Sequence, residues 1–329
     1  MMAGCLLRNI RTTERWRHMY QTRREFLKAA SAAAISLAAS GAPLAGRTPG
    51  LLPGLDVYPH AGDPLLEELA ARALEAARAA GAEYADVRFS LTRLEEIMFM
   101  GPTQYSHRQD SERAGVGVRA LVEGAWGFAS STLWSADEAA RLAREAVAQA
   151  RMNARGRRRR IELTPPPPPV KGEWRTPIER DPFDVPLAEK VAVVGAMLEH
   201  AGRYNIGAHN ASVGAGANIR WERHEQTMAS TEGALCSQTI YRTWPSFSVG
   251  VTTARRRSGR TSDLMQPVAG GFEVVSKARF VDELPRLVEE AFLMLEAERI
   301  TPDRYDVVLD GRLMTQLVGL TIGTAAELD

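Results

Sequence analysis

Residues 115–129 read Gly115-Val116-Gly117-Val118-Arg119-Ala120-Leu121-Val122-Glu123-Gly124-Ala125-Trp126-Gly127-Phe128-Ala129. Two extended runs flank Glu123-Gly124, a pair of hairpin type, so the stretch predicts two antiparallel strands. Its glycines invite comparison with a phosphate-binding loop. Ala120 stands where a third glycine would fall, however, and the segment continues as strand instead of opening a helix. The missing side chains point to close packing of backbone against Trp126.

Upstream, Tyr84 to Leu91 alternates, with Ala85, Val87 and Phe89 on one face and Asp86, Arg88 and Ser90 on the other. That is the pattern of a half-buried strand, and Leu94 to Met100 reads as its hairpin partner. Before it, Asp63-Pro64 precedes Leu65, Leu66, Leu69, Ala73, Leu74 and Ala77, with Gly81 after the last turn. Cap, first-turn proline, apolar stripe and terminal glycine together predict an amphipathic helix. Downstream, Ser135-Ala136-Asp137-Glu138 is a capping box ahead of Leu142, Ala143, Ala146, Val147 and Ala150, a second helix to cover the sheet.

Arg155 to Arg160 is a basic run and Pro165 to Pro169 an unbroken proline stretch, extended and without backbone donors. No aromatic residues interleave the arginines, so a solvated connector is the reading over a nucleic-acid or proline-motif role. Beyond it, Leu187 to Arg203 predicts a helix with Val191, Val194, Met197 and Leu198 inward. Ala211 to Ile219, Glu225 to Ala229, Leu235 to Tyr241 and Ser246 to Thr253 read as strands of a meander, with Ser230-Thr231-Glu232-Gly233 as a turn. Phe280 to Arg299 predicts a long helix with Leu284, Leu287, Val288, Ala291, Phe292 and Leu295 as its stripe, and Tyr305 to Leu309 a further strand. The fold class is α+β: antiparallel sheets covered by helices in an N-terminal domain (60–155) and a central domain (176–301). An Arg/Pro-rich linker (156–175) joins them, and 302–329 is the start of a third unit.

The chain has 329 residues, 45% hydrophobic and 25% charged, which is ordinary globular composition. A net charge of +1 argues against a nucleic-acid surface, which needs a clustered basic face. Of the two cysteines, Cys5 precedes an expected cleavage site, so the mature chain keeps Cys236 alone and has no internal disulfide. Arg23-Arg24-Glu25-Phe26-Leu27-Lys28 followed by the small apolar run Ala29 to Ala39 has the layout of a twin-arginine export signal. Residues 1–46 are assigned to it, with Met19 an alternative start and cleavage between Ala38 and Gly46. The run is too short for a stable membrane span, so a periplasmic or extracytoplasmic protein is expected.

The histidines, His18, His60, His107, His200, His209 and His224, are scattered, and no two fall at metal-ligand spacing on one helix. His224-Glu225 imitates the start of a zinc-binding helix, but the fourth residue after His224 is Met228 and the run alternates like a strand, so His224 reads as a surface strand residue. Cys236 reads as buried and inert.

Taken together, Ala82 to Phe89, Gly115 to Arg119 and Gly124 to Ala129 resemble the N-terminal domain of the TldD/PmbA family of metallopeptidase-like proteins, the modulator of DNA gyrase type. The Ser230–Gly233 turn, Tyr305-Asp306-Val307-Val308-Leu309-Asp310 and the acidic Glu327-Leu328-Asp329 resemble features of its central and C-terminal domains. In active members a helix carries a His-Glu pair and a second His four residues after the first, both imidazoles on zinc and the Glu activating water. Aligned on Glu327-Leu328-Asp329, those positions hold Gly319, Leu320 and Thr324, none an adequate zinc donor. The resemblance thus implies a member without its own zinc site and no cofactor of its own. It also implies a C-terminally truncated chain, a homodimer or a heterodimer with a paralogue, and peptide as substrate. An active zinc-dependent metallopeptidase whose ligands lie outside this chain is one alternative, and a peptide-binding module using the edge of the central sheet is another. The last segment, with Leu317, Val318, Leu320 and Ile322, is expected to expose apolar surface.

Overall fold

Residues 84–100, anticipated as two short strands, form one: β1, Tyr84–Met100. The hairpin expected within it does not occur, because Thr92-Arg93 supplies no turn residue and the alternation continues through it. The computed structural model that shows this describes residues 58–101, 105–156, 159–165, 168–204, 211–262, 267–298 and 300–326. Arg23, Arg24, Phe26, Leu27 and Lys28 of the export signal, and Glu327-Leu328-Asp329, lie outside the described residues.

On one side β1 pairs antiparallel with β2, Tyr105–Val122, from Tyr84↔Leu121 to Phe99↔Tyr105, with an irregularity at Met98/Phe99. The turn at Glu123-Gly124 then leads to β3, Ala125–Ser131. Both turn residues have positive φ, 49° and 72°, as the favoured two-residue hairpin turn demands. On its other side β1 pairs with β5, Ser212–Ser230, from Asp86↔Ser230 to Met100↔Gly216. The Ser230–Gly233 turn follows, with Gly233 at φ 88°, and leads into β6, Leu235–Thr252. The four short strands anticipated over 211–253 are thus two long ones. The charged residues between them, Arg220, Glu222 and Arg242, keep the alternation going instead of ending it.

The outer edge of β6 is covered in succession by β4 (Lys171–Arg175), β8 (Val268–Ala269) and β7 (Arg257–Thr261). β4 runs parallel to β6, the others antiparallel. The Arg/Pro-rich stretch 156–175 is therefore not wholly a connector, since its last five residues are strand. Separate sheets for the two domains are likewise replaced by a single eight-stranded sheet, β3-β2-β1-β5-β6-β4 with β7 and β8 on β6. The architecture is α+β.

The helices are α1 (Pro64–Ala79), α2 (Ala136–Gly156), α3 (Leu187–Gly202), the short α4 (Glu273–Ser276), α5 (Phe280–Glu296) and α6 (Gly311–Val318). Asp63 Oδ1 accepts from Leu65 N at 2.9 Å to start α1, and Ser135 Oγ accepts from Glu138 N at 3.2 Å to start α2, as the caps predict. The odd-numbered residues of β1 share one face. At one end of the sheet Val87 and Phe89 meet Leu66, Leu69 and Leu74 of α1 and Leu142 and Val147 of α2. At the other end Ile97 and Phe99 join Val194 and Leu198 of α3 and Leu284, Leu287 and Ala291 of α5. Phe247 of β6 stacks on Phe280 of α5 with centroids 4.7 Å apart.

Gly127 shows what the glycines of the opening stretch do. A Cβ there would lie 2.0 Å from the Ala146 carbonyl oxygen and 2.4 Å from the Ala150 nitrogen, so β3 lies directly on the backbone of α2. The close neighbour is this helix and not Trp126, whose position in β3 is on the opposite face.

The strand expected at Tyr305–Leu309 does not form: Val307 and Val308 are exposed and no partner strand lies beside them among the described residues. Asp310 Oδ1 caps α6 through Leu313 N at 2.8 Å, and the helix passes into a wider π turn, Gly319–Gly323. Leu317, Val318, Leu320 and Ile322 are exposed there, as the sequence leads one to expect.

Candidate functional site

Since the long helices α1, α2, α3 and α5 all pack on one face of the sheet, the opposite face carries no helix among the described residues. It presents the even-numbered residues of β1, β5 and β6 and the odd-numbered residues of β2. Depressions interrupt it, two of them large. The larger, about 990 Å³, is a trough near the far end of β1, lined by Gly214, Gly216, Gly250 and Gly259 with Ser246 and Ser248 among them. On this face an alternating glycine removes a whole row of side chains, so the trough is cut by the sequence at Gly214, Gly216 and Gly250. A Cβ at Gly214 would meet nothing within 4 Å, which confirms open space above it.

The smaller depression, about 560 Å³, lies over β1, β2 and β3 and is lined by Asp86, Arg88, Gly117, Arg119, Phe128 and Ser130, among others. Asp86 is buried, yet it accepts from Arg119 Nε at 2.9 Å and from Arg88 Nε at 3.2 Å. Arg119 in turn lies over the Trp126 ring, 4.4 Å from its centroid. Tyr84, beside Asp86, has its phenol held above the ordinary range, first by burial and then by the Asp86 charge.

On the covered face the polar residues do different work. Between the two apolar clusters runs a seam of ion pairs. Lys190 of α3 is buried against Glu95 of β1, which also accepts from Arg108 Nε at 3.0 Å. Burial pushes the Lys190 ammonium below its ordinary value, against the pull of Glu95. Arg223 of β5 ion-pairs with Glu225 at 2.9 Å, and His60 Nδ1 is 3.0 Å from the same carboxylate. Tyr241 of β6 donates to Asp181 Oδ2 at 2.5 Å and accepts from Arg175 Nη2 at 2.8 Å. Burial and then the Asp181 bond push its phenol up to about 12. This seam positions α3 and the 175–185 segment on the sheet.

Gly319, Leu320 and Thr324 fall on the exposed terminal helix. Leu320 is 77% exposed, and Thr324 Oγ1 is turned back onto the Gly319 carbonyl oxygen at 3.2 Å. With no donor side chain at two positions and a hydroxyl engaged with backbone at the third, the three do not fit a zinc ion. No three His, Cys, Asp or Glu side chains converge into a metal-holding group among the described residues. His224, expected on the surface, is half-buried: Thr92 Oγ1 lies 2.9 Å from its Nδ1, and burial lowers its pKa. Cys236, expected buried, is partly exposed, with its thiol 3.6 Å from the Val170 carbonyl oxygen. Sequence reasoning passed over the Asp86–Arg88–Arg119 cluster and the trough. Their signals were opposite charges and glycines at alternate positions of strands whose adjacency the sequence does not state.

Residues 106–150, covering most of β2, all of β3 and most of α2, match the family model for PmbA/TldA metallopeptidase domain 1. Over that segment the match bears out the resemblance to the TldD/PmbA family. Comparison with curated proteins gives no match. The fold is also that of solved structures. A protein from Bacteroides thetaiotaomicron whose name links it to modulation of DNA gyrase is 13% identical at a TM-score of 0.54, over 78% of this chain and 56% of its own. One of the same description from Thermotoga maritima is 13% identical at a TM-score of 0.50, over 72% and 50%. The chain therefore spans about half the length of these structures. No helix among the described residues is long and apolar enough to cross a membrane.

The seam has a pH signature. With the Tyr241 phenol raised from 10.0 to about 12, the folded state holds this proton more tightly than the unfolded state. Its contribution, about 2 kcal/mol, is complete below pH 10 and is lost as pH rises through 12. Denaturant melts at pH 9 and pH 12 are expected to show this alkaline loss in the native chain and a smaller one in Tyr241→Phe; equal losses in both would refute it.

Proposed function

We propose that this TldD/PmbA protein works in peptide processing outside the cytoplasm, with the described part as a non-catalytic platform that holds an extended peptide on its bare sheet face. The supporting observation is the trough. It is a depression floored by glycine backbone and edged by hydroxyls, on a face with no covering helix, next to a fold whose family model is named for a metallopeptidase. An extended chain needs that kind of floor, because its own backbone must approach closely and its side chains need gaps at two-residue intervals. Catalysis, in this reading, belongs to zinc ligands that these residues do not supply, on a paralogous partner chain.

A second reading is favoured by the sheet edges. The β3 edge is occupied by α2, where Gln149 Oε1 accepts from Phe128 N at 2.6 Å and Asn153 Nδ2 donates to the Trp126 carbonyl at 2.8 Å. β4 is exposed along its length. A peptide could therefore add as a strand beside β4 and nowhere on the β3 side.

Gly214→Leu separates the two. It fills the trough without a clash, so the melting temperature should stay within a degree or two while binding of an unstructured peptide falls at least several-fold. Unchanged binding would move the site to β4 or remove it. Metal content tests the non-catalytic part: after dialysis the purified chain should carry no stoichiometric zinc by elemental analysis, and one retained zinc per chain would overturn it. Export rests on Arg23 and Arg24. Replacing both by lysine should leave the chain in the cytoplasmic fraction, and undiminished periplasmic accumulation would dismiss the twin-arginine route.

A further inference from the structure

The pocket over Asp86 has a charge balance that its own contacts leave incomplete. Two guanidinium groups, Arg88 and Arg119, meet one carboxylate. Asp86 is 2% exposed and takes Arg88 Nε on one oxygen and both Nε and Nη2 of Arg119 on the other, the last at 2.8 Å. Asp86 therefore works as an anchor: it is consumed in fixing the two arginines, and it leaves a net positive charge above it. The terminal nitrogens of Arg88 have no partner among the described residues, and its side chain is 47% exposed at the pocket. Arg119 is held from behind by Trp126, 4.4 Å away, so its guanidinium is oriented before any ligand arrives.

The other wall is apolar. Phe128 is 57% exposed, an unusual position for a large ring, and lies across Gly117. A Cβ at Gly117 would sit 2.9 Å from its Cε2, so the glycine is what lets the ring lie down on the sheet. Ser130, opposite Gly117 in the β2–β3 ladder, adds a hydroxyl to the lining. A fork of N–H donors, a surplus positive charge and an aromatic wall within one depression of about 560 Å³ match one ligand chemistry, a carboxylate carrying an apolar group.

We propose that this pocket binds the α-carboxylate of a peptide whose last side chain is apolar, with Arg88 and Arg119 on the carboxylate and Phe128 against the side chain. Phosphate would satisfy the arginines and leave the ring idle. Peptide as the source rests on the function proposed above; the carboxylate does not. The pocket opens on the same bare face as the trough. About ten residues of β1 separate the two, roughly 30 Å, a span that one extended peptide can cover.

The test is calorimetric titration of the purified chain with acetyl-Gly-Gly-Phe, its C-terminal amide, acetyl-Gly-Gly-Gly and 3-phenylpropionate. The free acid of acetyl-Gly-Gly-Phe should bind on the order of tenfold more tightly than the amide, the difference expected when a hydrogen-bonded charge is removed. Arg88→Gln should erase that difference and Arg88→Lys should restore part of it. Phe128→Ala should bring acetyl-Gly-Gly-Phe down to the level of acetyl-Gly-Gly-Gly. Thermal melts of each variant show whether the anchor at Asp86 still holds the fold, and Phe128→Ala tests the pocket even if Arg88→Gln does not fold. Equal affinity for acid and amide, or no binding by any of the four, overturns the proposal. If 3-phenylpropionate binds as tightly as the tripeptide, the carboxylate pocket is upheld and the peptide reading loses its support.

Discussion

The ladder between β1 and β5 carries the rest of the molecule. It pairs Asp86 with Ser230 at one end and Met100 with Gly216 at the other, joining segments well over a hundred residues apart in the chain. Because β1 also pairs along its length with β2, its backbone is bonded on both sides and cannot shift register without turning every core side chain to the wrong face. Val87, Phe89, Ile97 and Phe99 then lie in a single row, and the two helical layers assemble on that row at its two ends. Neither layer has a sheet of its own.

That arrangement leaves a middle stretch of β1 and β5 where neither apolar cluster reaches, and the ion-paired seam fills it. Glu95, Lys190, Arg223, Glu225 and Tyr241 lie there on the covered face, with Lys190 paired to Glu95, Arg223 to Glu225 and Tyr241 bonded to Asp181. Such pairs contribute little net stability after desolvation, but breaking one partner strands the other in a buried place, so they select one docking of α3 over others. The open face has the opposite character. Its depressions arise where side chains are missing, at the glycines of β5 and β6, or where a buried carboxylate draws two arginines inward. The covered face holds the shape and the open face is left to meet ligands.

The sequence made the local geometry legible wherever one strand or helix sufficed. The cap at Asp63, the capping box at Ser135 and the Glu123-Gly124 turn all form as their residues require. The alternation at Tyr84 to Leu91 sorted residues correctly between the faces. Errors came at strand ends. Arg93, Arg220 and Arg242 fall between the short strands expected there, yet the strands run on through them, and Arg93 and Arg242 meet carboxylates on neighbouring strands. Tyr305 to Leu309 erred the other way, since a run of strand-forming residues makes no strand without a partner beside it.

Composition and periodicity by themselves determined the α+β class, the positions of α1, α2, α3 and α5, and the hairpin at Glu123-Gly124. Only the tertiary structure decided that the sheet is single, that all its long helices share one face, that Lys171–Arg175 closes part of an edge, and that Asp86 lies between Arg88 and Arg119. The physical reason is one of range. Alternation, caps and turns depend on neighbours within a few residues, whereas pairing and burial depend on which distant strand lies 4.7 to 4.9 Å away, roughly, and a linear pattern carries no record of that choice.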